Sequence, residues 1–183
     1  SSDTFATKAR ASLNAVGLSL GAVGAAAAAA LGVMVNAGIA SATEIKNLSS
    51  VANASAAEFQ AMAYAARSVG IEQDKLADIL KDVNDRIGDF ITTGGGPMAD
   101  FFERIAPRVG VTVEQFRKLN GPDALALYVS SLEKANLSQQ EMTFFMEAMA
   151  SDSTRLIPLL QGNAEGLRAM ADEARRLGVV TSN

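Results

Sequence analysis

The sequence predicts an all-α protein, in which a long apolar Ala/Gly-rich helix is followed by a string of short amphipathic helices joined by tight turns. No residue from Ala11 to Thr43 is charged. After Glu44, apolar residues recur at helical spacing and charged residues occupy the positions between them. No segment alternates apolar and polar residues for long enough to indicate a strand. These three observations favour helices throughout the chain.

Residues 1–43 form the first predicted segment, an uncharged Ala/Gly-rich helix. Its centre, Gly17–Ala42, is apolar but consists mostly of small residues, including the six consecutive alanines Ala25–Ala30. As a helix, the uncharged stretch extends roughly 50 Å at about 1.5 Å per residue. It contains more than the ~20 residues that a bilayer span requires. Its glycines and Asn36 lower its hydrophobicity. We expect a segment that can enter a membrane without being committed to one.

A heptad register places apolar side chains of this segment on one seam, and Gly17 and Gly21 form a small-xxx-small pair that lets helix backbones approach closely. We expect residues 5–40 to self-associate along this seam. The candidate oligomerisation or membrane residues are Leu13, Val16, Gly17, Leu20, Gly21, Val23, Ala27, Ala30, Leu31, Met34 and Ala37. A buried Ala-rich core helix and a signal peptide are the alternatives. The apolar stretch exceeds the about 7–15 residues of a signal-peptide core.

Residues 44–93 form the second segment, which we expect to contain amphipathic helices. The clearest apolar stripe follows the i, i+3, i+4, i+7 rule and consists of Leu76, Ile79, Leu80, Val83, Ile87, Phe90 and Ile91. Gly94-Gly95-Gly96-Pro97 must end this helix, because three glycines and a proline neither propagate a helix nor supply its hydrogen bonds. We interpret residues 94–97 as a flexible hinge.

Residues 98–183 form the last segment, an array of short helices. Four apolar stripes indicate these helices, and all are read directly from the residue spacing. They are Met98, Phe101, Phe102, Ile105; Leu125, Tyr128, Val129, Leu132; Met142, Phe145, Met146, Met149; and Leu167, Met170, Ala174, Leu177. We expect Met142, Met146 and Met149 to fill the core, and a Met-rich adaptable interface is the alternative.

One junction recurs between the predicted helices. In Val69-Gly70-Ile71, Val109-Gly110-Val111 and Ala135-Asn136-Leu137, a Gly or Asn supplies the left-handed residue that closes a helix, and the following aliphatic residue packs back on it. Capping boxes then start the next helices, and we assign them to the pairs Ser55 with Glu58, Thr112 with Gln115, and Ser138 with Glu141.

The composition argues against catalysis and against metal or cofactor binding. The chain contains neither His nor Cys, so the usual general base, thiolate nucleophile and commonest metal ligands are missing. Asp82, Asn84, Asp85 and Gly88 depart from the calcium-loop spacing, and Gly94–Gly96 lacks the Gly-Lys-Ser/Thr of a phosphate loop. The net charge of −4 and the lack of a basic block oppose sequence-specific nucleic-acid binding. We expect no enzyme and no cofactor.

Several longer phrases resemble the tail-length tape measure proteins of long-tailed bacteriophages and prophages. The phrases span residues 43–175 and are Ala56–Ile71, Lys75–Asp85, Gly94–Phe102, Glu133–Met142 and Glu147–Asp152. The resemblance implies a structural virion protein that lies extended in the tail tube, sets tail length, and leaves the tail to assist genome ejection. It implies contacts with tail tube proteins, tail tip proteins and tail assembly chaperones, and symmetry that favours a parallel trimer.

The chain is much shorter than a whole tape measure and begins at Ser1 instead of Met, so we expect a processed product or one segment of a longer protein. We expect it in the tail lumen or tip of the virion, and in the host inner membrane and periplasm on infection. In this hypothesis, Gly17–Ala42 inserts only after release from the tail. A helical pore-forming, membrane-active protein and a soluble helical-bundle adaptor remain the alternatives.

Overall fold

A computed structural model of the chain describes residues 42–180, and every regular element in this range is helical. The all-α prediction is therefore confirmed for this part of the chain. A compact unit begins at Ile45. Its helices are α1 (residues 42–51), α2 (Ala56–Ser68), α3 (Gln73–Thr93), a π-helix (Phe101–Ile105), α4 (Ala106–Val109), α5 (Val113–Arg117), α6 (Gly121–Lys134), α7 (Gln139–Met149), a 3₁₀-helix (Ser153–Leu156) and α8 (Ile157–Arg176).

The predicted Ala/Gly-rich helix and its self-association seam, from Leu13 to Ala37, lie outside the described residues. Their helical structure, their oligomerisation and their membrane contact stay predictions.

The apolar stripes form one core, to which segments on both sides of Gly94–Pro97 contribute. The stripe of α3 is buried from Leu76 to Ile87. The stripes that begin at Met98, Leu125 and Met142 are buried at every predicted position. The prediction that the methionines of α7 fill the core is confirmed. Residues distant in the sequence therefore stabilise one another by removing apolar surface from water.

The last stripe departs from the prediction at Leu177, whose residue surface is 59% exposed. Ala174 is fully buried, and Leu167 and Met170 pack partly buried against the core. Leu177 is the C-terminal cap of α8, so the chain leaves the helix at this residue. The helical spacing identified the right face, but the helix ends before Leu177 can reach the core.

Aromatic rings occupy the centre of the core. The ring of Phe101 in the π-helix lies 4.5 Å from the ring of Tyr128 in α6, and 5.8 Å from the ring of Phe116 in α5. Phe102 stacks on Phe90 of α3 with ring centroids 4.3 Å apart. Edge-to-face and offset contacts of this kind are the arrangements that aromatic quadrupoles favour. The cluster ties four helical segments together.

Tyr128 also supplies a buried polar link. Its hydroxyl donates a hydrogen bond of 2.6 Å to the backbone carbonyl of Phe145 in α7. Burial raises the pKa of the Tyr128 phenol far above its ordinary value of 10.0, so the hydroxyl remains a donor. The residue thus satisfies its polar atom while burying its ring completely.

The π-helix Phe101–Ile105 differs from the regular helical spacing that the sequence suggested. The N–H of Ala106 donates to the carbonyl of Phe101, five residues earlier, and Pro107 follows at once. A proline inside a regular α-helix lacks an N–H and clashes with the carbonyl four residues before it. The wider turn gives the chain room to enter α4 with a proline in its first turn.

The recurring junction is present where it was predicted, and it also occurs once more. Gly70, Gly110 and Asn136 have positive φ angles of 76°, 71° and 54°, which confirms their left-handed conformation. Asn53, with φ of 51°, closes α1 in the same way. In each case one further residue separates this residue from the next N-terminal cap, and the caps are Ser55, Glu72, Thr112 and Ser138.

Hydrogen bonds close both ends of these junctions. The N–H of Ile71 reaches the carbonyl of Ala66 at 3.0 Å, and the N–H of Val111 reaches that of Ala106 at 2.9 Å, the pattern of a Schellman motif. The three predicted capping boxes, which pair Ser55 with Glu58, Thr112 with Gln115, and Ser138 with Glu141, are all formed. Backbone groups at the helix ends are satisfied locally, so each connection needs only three or four residues.

Gly121 allows the start of α6 to touch the turn after α1. Its N–H donates to the carbonyl of Asn53 at 2.9 Å, and a Cβ on Gly121 would collide with the carbonyl oxygen of Ala52. The side-chain amide of Asn84 in α3 donates to the same Ala52 carbonyl at 3.1 Å. Three helical segments therefore meet at one backbone carbonyl, and only glycine fits at position 121.

We expect Gly121→Ala to destabilise the protein by about 1–3 kcal/mol, because the added methyl group must displace the Ala52 carbonyl from its hydrogen bonds. Urea unfolding followed by circular dichroism measures the change. Gly88→Ala is the matched control, because a Cβ at Gly88 of α3 meets nothing within 4 Å. That control should gain about 0.5–1 kcal/mol from helix propensity. A Gly121→Ala protein as stable as its parent would contradict the close approach.

Candidate interaction surface

The described part of the chain contains a groove between α2, α6 and α8, which we call the α2–α6–α8 groove. Its volume is about 300 Å³. Apolar side chains form its floor and charged side chains form its rim. The lining residues are Glu58, Ala61, Met62, Pro122, Asp123, Leu167, Arg168, Ala171, Asp172 and Arg175.

The floor exists because α2 and α8 face each other with alanines. Ala61 of α2 and Ala171 of α8 are buried, and Met62 closes the bottom of the groove. Two helices that meet through alanines leave space that longer side chains would fill. Pro122, in the first turn of α6, forms the end of the groove without contributing an N–H. An apolar side chain of a partner would find a dry floor here.

The rim carries charges of both signs. Asp172 and Arg175 form a salt bridge of 2.8 Å on the outer face of α8. Both side chains are exposed, so the pair contributes little to stability. Asp123 lies in the first turn of α6, where the helix macrodipole favours a negative charge. The rim therefore suits a partner surface with mixed charges better than an isolated anion or cation.

Glu58 is the best-fixed residue of the rim. Its carboxylate accepts hydrogen bonds from the Ser55 hydroxyl at 2.6 Å and the Ser55 N–H at 3.0 Å. The Asn120 side-chain amide donates to its other oxygen at 3.2 Å. The Ser55 bonds, and secondarily the Asn120 bond, hold the pKa of Glu58 below its ordinary value of 4.5. Glu58 thus couples the start of α2 to the cap of α6.

The groove is lined by the carboxylates of Glu58, Asp123 and Asp172 and by two arginines, and the chain supplies no His or Cys to it. Within residues 42–180, no three His, Cys, Asp or Glu side chains are grouped so as to hold a metal ion. Asp85 and Asp89, which flank Gly88 on α3, line only an open surface depression. The arrangement can bind a surface, and we therefore describe the groove as an interaction site.

The sequence did not indicate this groove. Its residues come from three segments separated by more than forty positions along the chain, and none of the three carries a binding motif. The capping box of Glu58 and the apolar stripe of α8 were visible in the sequence, but their proximity depends on how the helices pack. The residues that the sequence did single out, from Leu13 to Met34, lie outside the described part, so no distance joins them to the groove.

No family model, no curated protein and no solved structure matches the chain. Among residues 42–180, no helix combines the length and the apolarity that a membrane crossing requires. Function is therefore inferred from the residues and from their arrangement.

We expect the free energy of unfolding to decrease as the pH decreases, partly because Glu58 becomes protonated. Its pKa is lowered in the folded state, so its contribution is full above the unfolded value near 4.5 and is lost as the pH falls through the folded value. Glu58→Gln keeps an acceptor for Ser55 but does not titrate. Urea midpoints at pH 7, 5, 4 and 3 should drop more steeply below pH 4.5 in the parent than in this variant.

Glu103→Gln is the control for this prediction, since Glu103 is an exposed carboxylate on the π-helix for which the described part of the chain shows no hydrogen bond. Its pH profile should follow the parent. Identical profiles for the parent and Glu58→Gln would show that the Ser55–Glu58–Asn120 bonds contribute nothing that depends on ionisation.

Proposed function

We propose that the chain is a segment of a bacteriophage or prophage tail tape measure, a structural virion protein without enzymatic activity. The observation that carries the proposal is the resemblance of long phrases within residues 43–175 to that family. These phrases coincide with helices and their junctions: Ala56–Ile71 covers α2 and its closing turn, and Glu133–Met142 covers the junction of α6 with α7. Residues 42–180 are all-α, and because residues 45–180 pack around one core, the proposal requires these helices to open into an extended chain inside the tail.

In this proposal, helical rise supplies the measure. A helix advances about 1.5 Å per residue, so inserting or removing helical residues changes the length of an extended chain in proportion. The chain associates with copies of itself, as a parallel trimer along the Leu13–Met34 seam, and with tail tube and tail tip proteins. Tail assembly chaperones cover its apolar faces before assembly.

We further propose that Gly17–Ala42 enters the host inner membrane after release from the tail. Its uncharged, Ala/Gly-rich composition supports a segment that stays packed against protein until that packing is removed. Lys8 and Arg10 precede it and Glu44 follows it, which orients the N-terminal flank toward the cytoplasm.

A soluble helical adaptor is the second candidate. The observation that favours it is the single core of residues 45–180 together with the α2–α6–α8 groove, which can receive a partner surface. An adaptor and a tape measure differ in one property: only the length of the tape measure is read out in the virion. In-frame deletions distinguish the two.

We expect in-frame deletions in the gene that encodes the chain to shorten the tail in proportion to the residues removed. In the opened, continuous helix that the proposal requires inside the tail, removing residues 45–93 should shorten the tail by at most roughly 70 Å, and removing residues 45–180 by at most roughly 200 Å, at about 1.5 Å per residue. Electron microscopy of virions measures the change, and Gly88→Ala provides a length-preserving control. Tails of unchanged length in both deletions would contradict the tape measure and favour the adaptor.

We expect Ala28→Asp combined with Val33→Asp to leave tail length nearly unchanged while blocking genome delivery, because each central charge adds about 2.5–3.5 kcal/mol to membrane insertion. Virion micrographs report tail length, and potassium efflux with phage DNA entry reports delivery. Ser50→Asp combined with Gln140→Asp adds the same charge at two exposed positions and should deliver DNA normally. Normal delivery by the Ala28/Val33 variant would leave the stretch a packing element alone.

A further inference from the structure

Helix α8 is interrupted by a left-handed turn. Gln161 has an extended ψ of 160°, and Gly162, Asn163 and Ala164 have positive φ angles of 59°, 62° and 59°. The residues before and after this turn are helical. The interruption therefore divides α8 into a short first part, residues 157–160, and a longer second part, residues 165–176, which we call α8C.

The turn places strain on one residue. Glycine adopts positive φ without cost and asparagine tolerates it, but alanine in this region brings its Cβ too close to the following carbonyl oxygen. Ala164 is only 7% exposed, so this residue lies in the packed core and not on the surface. Alanine is also the residue that most favours a right-handed helix. The turn thus holds the strongest helix former in the conformation that suits it least.

The sequence around the turn favours a continuous helix. Leu160, Ala164, Leu167, Ala171 and Ala174 are spaced i, i+4, i+7, i+11 and i+14, which is an uninterrupted heptad seam across the turn. A straight helix over residues 157–176 would keep all five residues on one face. Local preference and tertiary structure therefore disagree at residues 161–164.

Tertiary contacts hold the bend. The carboxylate of Glu133 at the end of α6 accepts the N–H of Gly162 at 3.1 Å. Gly166 lies beside the backbone of Pro158 and Leu159, where an added Cβ would make ordinary van der Waals contacts of 3.4–3.6 Å. Beyond the turn, α8C supplies Leu167 and Ala171 to the groove beside α2 and α6. These contacts act together with the tolerance of Gly162 and Asn163 for positive φ, and they hold Ala164 in the bend against its own preference.

We propose that α8 is a hinge with a second, straight state. In this state the α8C of one copy packs against α2 and α6 of a second copy, in the place that the second copy's own α8C has left. We choose a second copy as the partner because α8C already packs against α2 and α6 within one chain, so the α8C of another copy is complementary to the same surface. Exchange would keep the contacts of α8C with α2 while releasing the strain at Ala164. The inference goes beyond the proposed function, and it is independent of whether the chain belongs to a phage tail.

Two spin labels test the hinge within one chain. The chain has no cysteine, so Arg67→Cys in α2 and Arg176→Cys in α8C introduce the only thiols, both at exposed positions. Electron–electron resonance on the full chain, diluted in excess unlabelled protein, reports the distance within one copy. We expect one short distance for the bent state and a longer distance for the straight state.

Variants at the turn should shift these two populations in opposite directions. Gly162→Ala combined with Asn163→Ala disfavours the left-handed turn and favours a helix, so it should raise the ratio of long to short distances at least roughly tenfold. Ala164→Gly relieves the strain of the bend, so it should lower this ratio and raise the urea midpoint. Gly88→Ala, which adds helix propensity in α3 alone, should leave the ratio unchanged.

Exchange between copies is tested by mixing chains that carry one label each, at Arg67→Cys or at Arg176→Cys. In the Gly162→Ala, Asn163→Ala background the short distance should reappear between copies. Its absence there, or an unchanged long-to-short ratio, would overturn the proposal. If that variant fails to fold, the test rests on Ala164→Gly. The strained hinge would be refuted if Ala164→Gly neither raised the urea midpoint nor reduced the population with the long distance.

Discussion

The fold depends on one constraint, the need to satisfy the backbone groups at helix ends within very short connections. Each helix leaves unpaired N–H groups at its start and unpaired carbonyls at its end. The four junctions centred on Asn53, Gly70, Gly110 and Asn136 meet this need with a left-handed residue, one further residue and an N-terminal cap. Because the connection is so short and its dihedral angles are fixed, consecutive helices are directed back toward the same core.

The core then fixes what the junctions leave open. Rings from α3, α5 and α6 meet around Phe101 and Phe102 of the π-helix, and the Tyr128 hydroxyl extends the contact to the backbone of α7. Where α2 and α8 meet through alanines instead, the packing leaves a groove. Side-chain volume thus sets how closely each pair of helices approaches, and the alanines allow α2 and α8 to lie close together.

The described part of the chain has two features that bear on a binding role, one on its surface and one in its backbone. A chain without His or Cys has few groups for chemistry near neutral pH. Its distinctive features are the groove, whose charged rim is anchored at Glu58, and the bent helix that forms one wall of it. Both features are compatible with the proposed tail protein and with the proposed helical adaptor.

Local physical chemistry allowed the sequence by itself to determine much of this structure. The helical character, the buried stripe of α3, the end of that helix at Gly94 and the three capping boxes all depend on neighbours within a few residues, and each was predicted correctly. The π-helix before Pro107, the meeting of Gly121 with Ala52, the exposure of Leu177 and the groove were not predicted.

Only the tertiary structure decided these features, because each depends on residues that are distant in the sequence. The bend in α8 is the clearest case. The spacing of Leu160, Ala164 and Leu167 favours a straight helix, yet Glu133 of α6 and the packing beside α2 impose a left-handed turn. A local preference of one residue is a small free energy, and the combined contacts of a packed helix exceed it.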